Sequence, residues 1–185
     1  MSILSTPTLL LPTPIRGRIS LVIAPRQAIE NLTAMLIVLA VQGQVNLVDG
    51  GNLFDGYGLT RLIRRQTTNV PQILDNISLS RSFTCYQLVA LLKALPAEGT
   101  PLLVFDLLST FLDESVPFSR RRGLLITGLD HLQRISARSP VALWVRLRSV
   151  PSGEDEQFLP LVIEIAHDVW RLENVPSCSP QLALF

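Results

Sequence analysis

The chain has 185 residues, 48% of them hydrophobic and only 17% charged, with a formal net charge of +1. That length holds one well-buried domain and is too short for two ordinary ones. So little charge, against about 25% in ordinary domains, excludes disorder and coiled coil; the near-neutral balance leaves any nucleic-acid contact to a local patch.

The elements follow in chain order. Ser2 to Arg16 is rich in Pro, Thr and Leu and reads as an extended arm, residues 1–17. It lacks a basic leading region and is broken by Pro7, Pro12 and Pro14, so no secretory signal is expected. Ile19 to Ala24 is a continuous apolar run that predicts a buried strand. Ala28 to Val41 predicts a helix with Ile29, Leu32, Leu36 and Leu39 on one face. A strand over Val45–Val48 closes at Asp49-Gly50-Gly51, and Gly58 to Arg65 reads as a helix. Ile77–Leu79 is a short strand. Thr84 is placed to cap a helix over Cys85–Leu95, with Leu88, Leu91, Leu92 and Leu95 as its buried stripe.

Pro101 to Phe105 is the next strand and ends at Asp106. Arg122 to Arg138 predicts a long amphipathic helix, with Leu125, Leu129, Leu132 and Ile135 inward. Val141 to Val145 is a strand. Leu159–Ala166 and Asp168–Leu172 read as a terminal strand pair. Continuous apolar strands alternating with helices predict an α/β fold, a mostly parallel sheet with helices on both faces. The domain spans 18–173, and 174–185 reads by composition as a flexible tail. The longest apolar run, Ala34 to Val41, falls short of the roughly 20 residues a membrane helix needs. Cys85 and Cys178 form no metal or redox spacing, which points to a reducing, cytoplasmic setting.

The serial order of these pieces resembles the core of the RecA/RadA recombinases. Leu102-Leu103-Val104-Phe105-Asp106 is similar to a Walker B strand. Asn76 to Phe83 with Gln87-Leu88 resembles the third strand and its helix, and Glu164 to Glu173 the late core strands. The resemblance covers about 18–173 and implies a RecA-like fold. The departures are chemical. A phosphate loop needs glycines to turn backbone N–H groups inward, a lysine and a hydroxyl. Here the stretch after Ala24 reads Pro25-Arg26-Gln27-Ala28-Ile29-Glu30-Asn31. Ile29 replaces a glycine, Glu30 the lysine and Asn31 the hydroxyl; Gly51 stands near the catalytic glutamate of ATP-hydrolysing members. The expectation is a degenerate nucleotide site (Ala24, Ile29, Glu30, Asn31, Asp106) with no enzyme activity and no cofactor. Asp106 is then either a metal-site relic or a carboxylate capping its turn.

The tail Gln181-Leu182-Ala183-Leu184-Phe185 resembles the pentapeptide by which bacterial polymerases and repair factors dock on the sliding clamp. The resemblance implies Gln181 in a polar slot and Leu182, Leu184 and Phe185 in an apolar pocket. Each large apolar side chain buried there contributes roughly 1.5–3 kcal/mol. The competing reading is a tail folded back on its own domain. RecA-family arms bridge subunits, so Leu9, Leu10 and Leu11 are a candidate bridge in an oligomer, or else pack on their own domain.

Arg120, Arg121 and Arg122 stand where the resembled family carries its first DNA loop. They are candidate phosphate contacts, or a solvated helix start that opposes the macrodipole. The equivalent of the second loop, Arg146 to Glu156, carries Glu154-Asp155-Glu156, so DNA binding is expected to be weak or absent. Arg61, Arg64 and Arg65 read as a solvated face. His131 and His167 lack ligand spacing, so no metal is expected. Ser109, Ser115 and Ser119 lack nucleophile-elbow glycines. Trp144 and Trp170 read as core or interface.

Together these features resemble the ImuA accessory proteins of the bacterial mutasome. That resemblance implies a non-catalytic RecA-like accessory protein of DNA repair, the SOS response and translesion synthesis. Its partners would be the DNA polymerase III beta sliding clamp and a translesion polymerase or RecA-fold protein. The alternative is a divergent ATP-dependent recombinase paralogue binding single-stranded DNA.

Overall fold

The computed structural model describes residues 11, 13–66, 69–96, 99–147, 153 and 155–172. Among the described residues, six strands form one sheet: β1 (Ile19–Ala24), β2 (Val45–Asp49), β3 (Ile77–Arg81), β4 (Leu102–Phe105), β5 (Val141–Arg146) and β6 (Asp168–Arg171). Every pairing is parallel, in the order β3-β2-β4-β5-β1-β6. The helices described between them are α1 (Ile29–Gln42), α2 (Gly56–Gln66), α3 (Val70–Asp75), α4 (Cys85–Ala94), α5 (Phe118–Ser136) and α6 (Asp155–Ile165). The fold is α/β, as expected, and its all-parallel sheet is consistent with a RecA-like arrangement.

Two cores explain the low charge. Alternate residues of a strand point to opposite faces. Ile19, Leu21 and Ile23 join α4, α5 and α6 in one core, while Val22 and Ala24 join α1, α2 and α3 in the other. All six residues of β1 are buried. The predicted cap of α4 forms: Thr84 Oγ1 accepts from the Gln87 N–H, and Gln87 Oε1 accepts from the Phe83 N–H.

Three expectations change. The segment Leu159–Ala166, read as a strand, lies in α6. Two parallel neighbours in one sheet cannot be joined by a hairpin, and here the crossover from β5 passes over β1 to reach β6 on its far side. Phe158 and Val162, one helical turn apart and both fully buried, are the inward face of α6; Pro160 faces solvent between them. Second, α5 begins at Phe118 rather than Arg122, which takes the arginine triplet into its first turns. Third, α3 appears where no element was expected.

The arm is anchored to this domain at its base. Pro14 is buried, Arg16 bridges Pro140, the Gly17 N–H donates to the Ser136 carbonyl, and Leu11 packs partly against the α1–α3 core. Leu9 and Leu10 lie outside the described residues. No helix among the described residues is long and apolar enough to cross a membrane.

Candidate functional site

The helices after β1 and β2 lie on one face of the sheet, and those after β4 and β5 lie on the other. Their connections splay apart at the carboxyl edge, the place where open parallel sheets bind ligands. The sequence-predicted nucleotide residues sit along this edge.

The joint after β1 has little room for a phosphate. One residue, Pro25, separates the strand from a 3₁₀ turn over Arg26–Ala28 that runs directly into α1. The Ala28 N–H donates to the Pro25 carbonyl. The Ala24 carbonyl accepts from Trp144 Nε1 at 3.1 Å and from the Leu147 N–H. Ile29 and Asn31 are half-buried, and Glu30 is exposed in the first turn of α1. A carboxylate there complements the helix macrodipole and opposes a bound anion.

Two aspartates end β2 and follow β4. Asp49 is fully buried; its Oδ1 accepts from the Leu53 N–H at 3.1 Å and its Oδ2 from the Phe54 N–H at 2.9 Å. Arg81, at the end of the neighbouring β3, places Nε 3.7 Å from the same carboxylate. Asp49 therefore folds the turn that carries Gly50 and Gly51. A Cβ on Gly51 would stand 2.6 Å from Asp106 Oδ2, so this position admits glycine alone without a shift. That contact accounts for a glycine at position 51.

Asp106 is buried and holds φ at +51°, a left-handed conformation unusual for a residue with a Cβ. Arg146, at the end of β5, places Nε 3.1 Å from Asp106 Oδ2, an ion pair too poorly aligned for a hydrogen bond. The Arg146 N–H lies 3.4 Å from Asp106 Oδ1. The Walker B-like carboxylate is thus neutralised from within the sheet. Arg146 was assigned by sequence to a surface loop. Its one visible signal is that two neighbouring apolar strands end in opposite charges, Asp106 and Arg146.

The arginine triplet does not act as one patch. Arg121 is 2% exposed. Its Nε donates to the Val116 carbonyl and its Nη1 to the Phe111 carbonyl, both at 2.8 Å. Its guanidinium lies 5.9 Å from the Phe118 ring centre and 5.7 Å from that of Phe158, rings that stack on each other. Arg121 is a buried clamp joining α5, α6 and the turn after β4, which corrects its assignment to a DNA surface. Arg120 and Arg122 are exposed, and Arg120 lies over the Tyr86 ring at 5.9 Å.

The other candidates are structural. His167 Nδ1 accepts from the Ile19 N–H at 3.1 Å, in the turn before β6, and His131 is half-buried on α5. Burial pushes the Cys85 thiol up. Trp144 is core, whereas Trp170 is partly exposed on the edge strand β6. No group of three His, Cys, Asp or Glu side chains among the described residues could hold a metal ion. The pentapeptide Gln181–Phe185 lies outside the described residues.

In comparison with known proteins, no family model matches the chain and no curated protein matches it.

Proposed function

We propose that this chain is a non-catalytic, RecA-like accessory protein of bacterial DNA repair and translesion synthesis, one that docks on the sliding clamp through Gln181–Phe185. The observation that carries the non-catalytic half is the joint after β1. It has no glycine, Pro25 contributes no N–H, Ala28 spends its N–H locally, and Glu30 puts a negative charge at the helix start. A triphosphate needs inward N–H groups and a cation at that point. The Asp106–Arg146 pair supports the same reading, because a metal bound to Asp106 would have to compete with a guanidinium already in place.

The docking half rests on the sequence of the tail. An extended Gln-Leu-Ala-Leu-Phe segment supplies three apolar side chains in five residues, enough for roughly micromolar affinity once ordering of the tail is offset. The full chain and its Leu184→Ala/Phe185→Ala variant are titrated against purified bacterial clamp by fluorescence anisotropy. The reading expects saturable binding by the parent and at least a roughly tenfold loss in the variant. Equal binding by the two, or none by the parent, removes the clamp as partner.

A further inference from the structure

A cavity of about 230 Å³ opens at the carboxyl edge, beside α6. Its walls are apolar: Ile23 of β1, Leu108 and Leu112 of the turn after β4, Val145 of β5 and Leu159 of α6. Two arginines line it from the ends of the strands that flank β1. Arg146 of β5 is level with Ala24, and Arg171 of β6 is level with Ile23. Among the described residues, the Arg171 side chain has no hydrogen bond or ion pair. Arg146 is engaged by Asp106 alone, through Nε and the backbone N–H, which leaves both terminal guanidinium nitrogens. Leu147, Asp106 and Glu156 also line it.

We infer that this cavity binds a small monocarboxylate on an apolar body. A guanidinium matches a carboxylate in a plane with two donors, and Arg146 already holds one carboxylate through its other side. The aliphatic walls take the hydrocarbon. Inorganic phosphate would shed its hydration against leucine and valine and brings no hydrocarbon to cover those walls. The volume is below the roughly 300–1,000 Å³ of drug-sized sites, so the ligand is a short chain rather than a nucleotide. The site is independent of the clamp reading, since none of its residues belongs to the tail.

The test is a titration of the full chain with octanoate, followed by NMR of the isoleucine, leucine and valine methyl groups. The methyls of Ile23, Leu108, Leu112, Val145 and Leu159 shift and saturate, with Kd on the order of 0.1–1 mM. Arg171→Gln, an exposed substitution that leaves the fold intact, weakens octanoate by about fivefold or more. 1-Octanol at the same concentration shifts these methyls far less, and Leu159→Trp, which fills the cavity, abolishes the response. No response at those methyls by about 10 mM octanoate overturns the site. So does an equal response to octanol, or an Arg171→Gln variant that binds as the parent does.

Discussion

Asp106 and Arg146 meet at the carboxyl ends of adjacent strands, Nε 3.1 Å from Oδ2, with the aspartate buried and the arginine side chain 24% exposed. Replacing Arg146 with Met removes a cation 3.1 Å from a buried carboxylate, and stability falls by about 1–3 kcal/mol, less than for a fully buried pair because Arg146 is partly solvated. Adding Asp106→Asn to that variant restores part of the loss. Urea unfolding of the parent, the two single variants and the double variant reads the coupling directly; strictly additive losses contradict the pair.

Gly51 is fixed by the same carboxylate. Gly51→Ala drives a methyl group to within 2.6 Å of Asp106 Oδ2 and 2.7 Å of its Cβ. The variant is destabilised by about 1–3 kcal/mol, the ordinary cost of overpacking. Asp106→Gly in the same chain removes the clash and also relieves the left-handed backbone at residue 106. Gly51→Ala therefore costs less in the Asp106→Gly background than in the parent; an unchanged cost means that the two residues do not collide.

The three consecutive arginines separate in a stability series. Arg121→Leu strips donors from the Phe111 and Val116 carbonyls and lowers stability by about 2–4 kcal/mol. Arg120→Ala and Arg122→Ala stay within about 0.5 kcal/mol of the parent, as exposed positions do. Thermal unfolding of the three variants separates these outcomes, and three equal small effects would return Arg121 to the surface.

At the opposite edge of the sheet, Arg18 holds Asp168 through two contacts, Nη2 to Oδ1 at 2.7 Å and Nε to Oδ2 at 3.0 Å. Hydrogen bonding from Arg18, with its charge added, holds the Asp168 carboxyl below the usual carboxylate range. A depressed folded-state pKa stabilises the fold above the unfolded value, about 3.9, and the gain is lost as pH falls through the folded value. Both side chains are solvated, so the effect is small and salt-sensitive. In unfolding at a series of pH values, Asp168→Asn is less stable than the parent at pH 7, and the gap narrows as pH falls below the unfolded value. A gap that persists at low pH contradicts the assignment.

The strands were legible because their apolar runs are short, continuous and buried on both faces, as in β1 and β5. The cap at Thr84 was legible because a hydroxyl precedes the first buried residue of α4 and Gln87 follows three positions later. α6 was not, since Leu159-Pro160-Leu161-Val162-Ile163 has the composition of a strand. Only the four-residue spacing of Phe158 and Val162 marks its helical face. Arg121 was hidden for a different reason. Three adjacent arginines look alike in sequence, and the one that faces inward is set by where α5 begins, which Pro117 fixes four residues earlier than the amphipathic stripe suggests. The pairing of Asp106 with Arg146 depends on β4 and β5 being neighbours, which sheet order supplies and sequence order does not.

The measurement that bears most directly on the account is calorimetric titration of the full chain with ATP and Mg²⁺, alongside Glu30→Lys as a partial restoration of charge. With Pro25, Ile29 and Glu30 at the joint after β1 and Asp106 held by Arg146, the parent gives no binding heat up to millimolar nucleotide on the order of ATP's cellular level. Saturable micromolar binding by the parent would show that this edge still seats a triphosphate.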